Sequence, residues 1–538
     1  MIAVGPVFGS GGPVIIVILH CHFERGGVTQ VVENHVRALR ETGQFERIVL
    51  VSGERKSGLS EETLNTVEWI NIDGFDYDPD GLSDGDLASR QQRMLHELKT
   101  QFAYHDLVVD DALLHWHNHS LGKNTAAPGV IRSLAGEGWS ILLQVHDFAE
   151  DNRPENYERL ISAIGAEHKQ QVDHYLYPLH EQIHYATLTT SDSFILEALG
   201  VDRERIDCLP NSVSVPQGLS LAKEEARHRV VDAMNLPADA RWSLYPVRGI
   251  RRKNIGELLL LARWGGSNRY MGLTLKPVTR MEQRSYERWK CVAAEVSTRT
   301  IFDAGESSGL SFLQNLLAAD FVVSTSVAEG FGMAFLEPWL LGRGVIARRL
   351  NTVTDDFERG GVDLSSFYDS IPIPGNKSWM NECEKEIRDA QRKAWKHLPE
   401  AFQPKMLASH DDTAETIDFA RLIPQRQIEV LKRMVADRGF ENAAREFSDS
   451  LVTCMEKGVS DAVLLANADA VRELYGPTRI GDSLVRIYQQ LGNDSIVGKH
   501  IAGPEAVGRS VDPDAGRQAG IDLISTFRPF FPCRTELL

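Results

Sequence analysis

Two glutamates bracket the stretch EGFGMAFLE: Glu329 precedes Gly330, Phe331 and Gly332, and Glu337 lies beyond Met333 in the apolar run that follows. An ionised carboxylate accepts hydrogen bonds from hydroxyls and repels phosphate. Small residues beside it let the backbone approach a ligand. If the stretch turns helical near Met333, Glu329 stands at a loop and Glu337 about one turn in. A glycosidase would need its carboxyl groups about 5–5.5 Å or 6.5–9.5 Å apart across one bond. Eight helical residues separate these two by roughly 12 Å at about 1.5 Å per residue. That suits two hydroxyl-binding positions better than one acid/base pair. The plain alternative is that Glu329 caps a helix and Glu337 lies on its solvent face.

A second group of candidates is cationic. Arg248 and Lys253 stand in RGIRRKN, between a strand-like SLYPV and a helical NIGELLLLARW. There they can reach an anion at a helix N-terminus, where unsatisfied N–H groups already favour phosphate; otherwise the segment is a solvated basic turn. Gly26 and Gly27 in ERGGVTQ follow the first strand-like run and either make a tight turn or bring bare amides onto a diphosphate. His146 and Asp147 close LLQVHDFAE, at a strand end. His115, His117 and His119 of HWHNHS alternate along one strand face, with no carboxylate or cysteine in register. No metal site is therefore expected, and one or two of these histidines are expected to line a cleft. The chain has no phosphate-binding G-x-x-x-x-G-K-[ST] loop. Its GSGG precedes a strand rather than following one, so it is not a dinucleotide fingerprint.

The elements that must position these residues are α/β. PVIIVILHCHFERGG is an apolar run breaking into a glycine loop; VTQVVENHVRALRETG has helical spacing with Gly43 as its stop; RIVLVSG is a second strand. That order is a βαβ unit, which favours a parallel sheet. The rhythm recurs in ALLHWHNHS, SILLQVHDF and YATLTTSDSFILEALG, giving a first Rossmann-like domain over residues 1–218. A second runs over 240–465, through WSLYPVRGI, TIFDAG, LSFLQNLLAAD and FVVSTS. It carries a helical insertion around 373–440. Residues 466–492 are read as a closing helix returning to the first domain, and 493–538 as a tail of no assigned structure. Ligands of such sheets sit beyond the carboxyl ends of the strands, where all the candidates lie, so two domains facing across a cleft are expected.

At 538 residues, 42% hydrophobic and 25% charged, the chain is an ordinary soluble globular protein. Its formal charge of −17 argues against nucleic acid and stable docking on anionic lipid. The six cysteines form no C-x-x-C pair, and Val14–Leu19 is too short to span a bilayer, so a cytoplasmic home is expected.

Together these residues resemble the retaining glycosyltransferases of GT-B family 4, from about Val14 to Leu491. Glu329 and Glu337 match the family's Glu-x7-Glu motif, Arg248 and Lys253 its phosphate-binding pair, and Gly26 and Gly27 its N-terminal glycine loop. CLPNSV is similar to its Pro-Asn-Gly segment, with Ser212 in place of the glycine, and His146 falls where many members keep a histidine near the donor sugar. The resemblance implies a nucleotide-sugar donor. Glu329 would contact the sugar, Glu337 the ribose, the backbone from Gly330 to Met333 the sugar and phosphates, and Arg248 with Lys253 the diphosphate. It implies front-face attack with no side-chain nucleophile, no metal and no cofactor. The acid- and histidine-rich loops suggest a small polar acceptor, and the segment near DAGESSG is expected to choose the base. The alternatives are an epimerase or hydrolase of the same fold, or an inactive nucleotide-sugar-binding partner protein.

Overall fold

The computed structural model describes residues 15–79, 87–215, 221–306, 309–405, 415–501 and 518–538; the GSGG stretch, Ser307 and Ser308 of DAGESSG, and residues 502–517 of the tail lie outside these. The chain divides into two compact units. The first comprises residues 1–212, 397–405 and 475–527, and the second 213–396, 406–474 and 528–538.

The first unit is built on seven strands: β1 (Ile15–Leu19), β2 (Arg47–Ser52), β3 (Glu68–Asn71), β4 (Ala112–His117), β5 (Ser140–Val145), β6 (Ile183–Thr187) and β7 (Ile206–Cys208). Their order is β3-β2-β1-β4-β5-β6-β7, every pair parallel. A parallel sheet covered on both faces needs apolar side chains in both directions, and β1 reads as an unbroken, fully buried IIVIL. Helix Gly27–Thr42 stops at Gly43, whose φ of 64° lies in the left-handed region. Helix Pro477–Ile501 packs on it, bringing Ile480, Leu484, Ile487, Tyr488 and Leu491 into one core with Val32, Val36 and Leu39. Gly481 makes the close approach possible: a Cβ there would stand 3.2 Å from the Ala38 carbonyl oxygen.

The second unit holds β8 (Arg241–Arg248), β9 (Arg269–Leu275), β10 (Thr300–Ile301), β11 (Phe321–Ser324), β12 (Gly344–Arg348) and β13 (Phe367–Tyr368), in the order β10-β9-β8-β11-β12-β13, again all parallel. Residues read as an inserted segment supply much of its core. Met380, Cys383, Ile387, Ile417, Phe419, Ile428 and Leu431 are buried with Leu258, Leu261 and Leu273, and Pro372–Pro374 pairs antiparallel with Thr416–Asp418.

Both sheets reverse strand order once, between β1 and β4 and between β8 and β11. Loops leaving the carboxyl ends of those two strands diverge and open a crevice, the place where parallel sheets bind ligands. No helix among the described residues is long and apolar enough to cross a membrane.

Candidate functional site

The crevice of the second unit is made by the loops after β8 and β11. Pro246 cannot donate to the ladder, and the register between β8 and β9 slips by one residue between Tyr245 and Arg248. The chain then turns at Gly249, where a Cβ would strike the Tyr286 ring at 2.4 Å. It winds one 3-10 turn (Arg251–Lys253) and enters helix Ile255–Trp264 through Asn254, which adopts a left-handed φ of 49°. The second loop is stitched to the first. The Val327 amide donates to the Arg252 carbonyl at 3.0 Å, the Thr325 hydroxyl to the Lys253 carbonyl at 2.8 Å, and the Tyr245 hydroxyl to the same carbonyl at 3.2 Å.

This stitching brings Lys253 and Glu329 into an ion pair, with Nζ on Oε1. Arg252 Nη1 donates to Glu329 Oε2 at 3.2 Å and to the Ala328 carbonyl at 2.9 Å. Burial raises the pKa of Glu329, but the Lys253 and Arg252 cations outweigh it and hold the carboxyl at about 2. Burial lowers Lys253 to about 8 despite the Glu329 charge, with Arg252 adding to the fall. Arg248, the last residue of β8, donates to the Lys276 carbonyl at 2.9 Å and makes no contact with Glu329. The sequence does not single out Arg252, because four cations in six residues carry no spacing signal; only the 3-10 turn decides which of them meets Glu329.

Between the two glutamates the backbone departs from the expected helix. Gly332 takes a left-handed φ of 83°, and a Cβ there would meet the Phe335 ring at 2.5 Å, so the fold itself requires this glycine. Met333–Phe335 makes a 3-10 turn, and helix Glu337–Leu340 has only four residues, with Pro338 early in it. Glu337 therefore begins the helix instead of standing a turn inside it. Phe331 is buried edge-to-face against Phe357, 5.7 Å between ring centres. The Glu337 carboxylate is half-buried and accepts no hydrogen bond from any described residue, and burial alone raises it to about 7. A buried carboxyl left without a donor carries a desolvation cost that a hydrogen bond would relieve.

In the first unit, Gly26 is extended (φ −173°) and Gly27 opens the helix that follows. A Cβ on Gly27 would meet nothing within 4 Å, and on Gly26 only the Glu24 oxygen at 3.8 Å. Neither conformation nor packing demands these glycines.

The histidines expected to line a cleft are instead in the core. His115 and His117 share a face of β4 and stack at 4.2 Å, both fully buried. His119 leaves that face, because the left-handed Asn118 (φ 58°) turns the chain, and its ring bonds the Leu176 carbonyl at 2.8 Å. His35, from helix Gly27–Thr42, takes the third place in the stack. One ring nitrogen each from His35, His115 and His117 lies within 4.8 Å of the others. His115 spends both nitrogens on Tyr488 and Gln144, at 2.8 and 3.0 Å. Among the described residues no carboxylate joins the set, so a divalent ion there would sit in the interior with its charge uncompensated. His146 follows β5, stacks on His117 and shares a 2.9 Å hydrogen bond with its Nδ1. Burial lowers its pKa to about 3, so it is neutral across the physiological range.

No family model matches the chain. It is 28% identical over 390 residues to mannosylglucosyl-3-phosphoglycerate synthase of Petrotoga mobilis, covering 69% of this chain and 72% of that protein. Among solved structures it is similar to sucrose-phosphate synthase of Thermosynechococcus elongatus, at a TM-score of 0.53 and 13% identity over 89% of this chain and 98% of the other. It is similar also to HepE of Anabaena in complex with UDP and glucose, at a TM-score of 0.52 and 13% identity over 89% of this chain and all of that one. The chain has the GT-B glycosyltransferase fold, two parallel sheets of Rossmann type. The resemblance read from its motifs holds at the level of fold and sequence likeness.

Proposed function

We propose that the chain is a retaining, metal-independent hexosyltransferase that moves a sugar from a nucleoside-diphosphate donor to a hydroxyl of a small polar acceptor. The observation that carries this reading is the meeting of Arg252, Lys253 and Glu329 at the reversal point of the second sheet, with the unpartnered Glu337 carboxylate eight residues further along the chain. HepE is described with UDP and glucose, which supports a nucleotide-sugar donor. The Petrotoga relative makes a sugar-bearing phosphoglycerate, which supports an acceptor of that kind.

In this reading the bond between the sugar C1 and the β-phosphate oxygen breaks. Charge builds on that oxygen, where Lys253, Arg252 and Arg248 stabilise it as it forms. The acceptor oxygen bonds to C1 on the same face, and its proton passes to the departing phosphate. Glu329, ionised and fixed by its two cations, accepts from hydroxyls of the donor sugar; Glu337 accepts from the ribose diol. Gly26 and Gly27 leave backbone amides open to ligand, and neutral His146 offers a hydrogen bond without adding charge.

Thermal shift with UDP, GDP and ADP, each also as its sugar, tests the donor site. A ligand at 100 times its Kd adds about 2.7 kcal/mol of apparent stability, so one base is expected to raise the melting temperature clearly, with or without EDTA. No shift from any diphosphate or nucleotide sugar would remove the reading. Glu337 supplies a pH test. Its carboxyl is ionised only above about 7, so nucleotide affinity should weaken as pH falls through that value. Glu337→Gln should bind about tenfold more weakly at pH 8 and lose this acid limb; an unchanged pH profile in the variant would deny Glu337 the ribose.

A further inference from the structure

The loops at the carboxyl edge of the first sheet converge on Tyr77. His22, after β1, packs edge-to-face on its ring at 4.7 Å. Arg55, after β2, has its guanidinium carbon 5.7 Å from the ring centre, and Lys123, after β4, has its Nζ at 5.9 Å. Arg153 and Asp147, after β5, lie close enough for their charges to act on the tyrosine, and Tyr77 itself follows β3. Five loops between His22 and Arg153 thus place two guanidiniums and an ammonium around one phenol, with Asp76, Glu24 and Asp147 as counter-ions.

The carboxylates nearby orient the two guanidiniums without exhausting them. Arg55 gives Nε to Asp76 and Nη1 to Glu24, both at 2.7 Å, and its Nη2 makes no hydrogen bond to a described residue. Arg153 gives one Nη2 hydrogen bond, 2.6 Å, to Asp147; its Nε is buried and has no partner. The Tyr77 hydroxyl has no hydrogen-bond partner among the described residues, and Tyr77, Arg55, Lys123 and Arg153 are all half-buried, open to a ligand. An arginine has five donors in a rigid fork, and Asp76, Glu24 and Asp147 leave Arg55 Nη2 and Arg153 Nε without a protein acceptor among the described residues. A group with several acceptor oxygens and a negative charge satisfies such donors through charge-assisted hydrogen bonds.

We propose that this cluster is an acceptor subsite for an anionic group, a phosphate or carboxylate carried by a small hydroxylated acceptor, held by Arg55, Lys123, Arg153 and the Tyr77 hydroxyl. The assignment of this anion to the acceptor rests on the glycosyltransferase reading above.

Isothermal titration of the full chain with D-3-phosphoglycerate, and separately with UDP and GDP, tests it. Wild type should bind D-3-phosphoglycerate with an affinity that falls as salt rises, and should bind glycerol not at all. Arg153→Ala and Lys123→Gln should each weaken D-3-phosphoglycerate by about tenfold or more while leaving nucleotide affinity within about twofold. Tyr77→Phe, which keeps the ring and removes the hydroxyl, should weaken it severalfold with an unchanged circular dichroism spectrum. Wild type that binds nucleotide but not D-3-phosphoglycerate, or variants that bind it as well as wild type, would overturn the proposal. Variants that lose nucleotide affinity in equal measure would assign the cluster to the donor and overturn it as well. If no nucleotide binds, the donor reading fails on its own, and the D-3-phosphoglycerate arm still decides whether the anion site exists.

Discussion

Lys253→Ala is expected to lower kcat for sugar transfer by about 10²–10³, the effect of removing one preorganised group that stabilises charge in the transition state. The lysine is buried and held by Glu329, with its carbonyl pinned by Thr325 and Tyr245. Its ammonium therefore needs little reorganisation as charge develops on the leaving phosphate. The substitution also leaves Glu329 with Arg252 alone, which loosens the carboxylate proposed to read the sugar. Lys253 loses its proton near pH 8, so transfer should fall as pH rises through that value, since the neutral amine no longer attracts the diphosphate. Lys253→Arg keeps a charge to far higher pH, so whatever activity it retains should lack the alkaline limb. Steady-state kinetics of the three proteins from pH 6 to 10 read both effects. A loss below about fivefold in Lys253→Ala would deny this residue the phosphate.

The largest expected effect on stability lies just behind that site. Arg348, at the end of β12 and 2% exposed, donates Nε and Nη2 to Glu257 at 2.9 and 2.7 Å. It also donates Nη1 and Nη2 to Asp418, both at 2.9 Å. The Tyr368 hydroxyl donates to Glu257 at 2.7 Å, and so does Asn254 Nδ2, at 2.9 Å. Arg348→Met leaves a fully buried Glu257 carboxyl without its cation, which costs about 3–5 kcal/mol. Adding Glu257→Gln removes the stranded charge and should restore part of the loss. Because Asn254 follows Lys253 directly, the single variant should also weaken nucleotide binding, whereas a defect confined to packing would spare it. Urea unfolding followed by tryptophan fluorescence measures the first effect, and a destabilisation under about 1 kcal/mol would show the network to be peripheral.

These two variants separate what the chain's pattern discloses from what it conceals. The parallel sheets are legible because buried strands such as IIVIL and FVVS are unbroken apolar runs, each followed by loop residues and a helical repeat. Glu329 and Glu337 stand out because glycines and an apolar run surround them. Arg252 does not, since its role depends on the phase of a 3-10 turn that leaves Arg248 directed at Lys276. The break between the glutamates is hidden for a similar reason: Met333–Leu336 reads as helix, and the left-handed Gly332 and early Pro338 override that propensity. His35 looks like one more residue of an amphipathic helix until the sheet brings β4 beneath it. The Arg348 network and the Tyr77 cluster draw single residues from distant loops and strands, a pattern with no period and no motif. The segment around 373–440 passes for an insertion because it is charged and helical, yet its buried residues, from Met380 to Leu431, close the core of the second unit.

Sugar transfer at the site on the second unit is read by release of nucleoside diphosphate from UDP-, GDP- and ADP-hexoses in EDTA, with and without glucosyl-3-phosphoglycerate. Release is expected from one donor, requires the acceptor, yields a product with the donor's anomeric configuration, and falls by about 10²–10³ in Lys253→Ala. Equal release without acceptor would mark a hydrolase or epimerase. Tight donor binding with no turnover in the presence of glucosyl-3-phosphoglycerate would mark a binding protein, and either result would rule out sugar transfer to this acceptor.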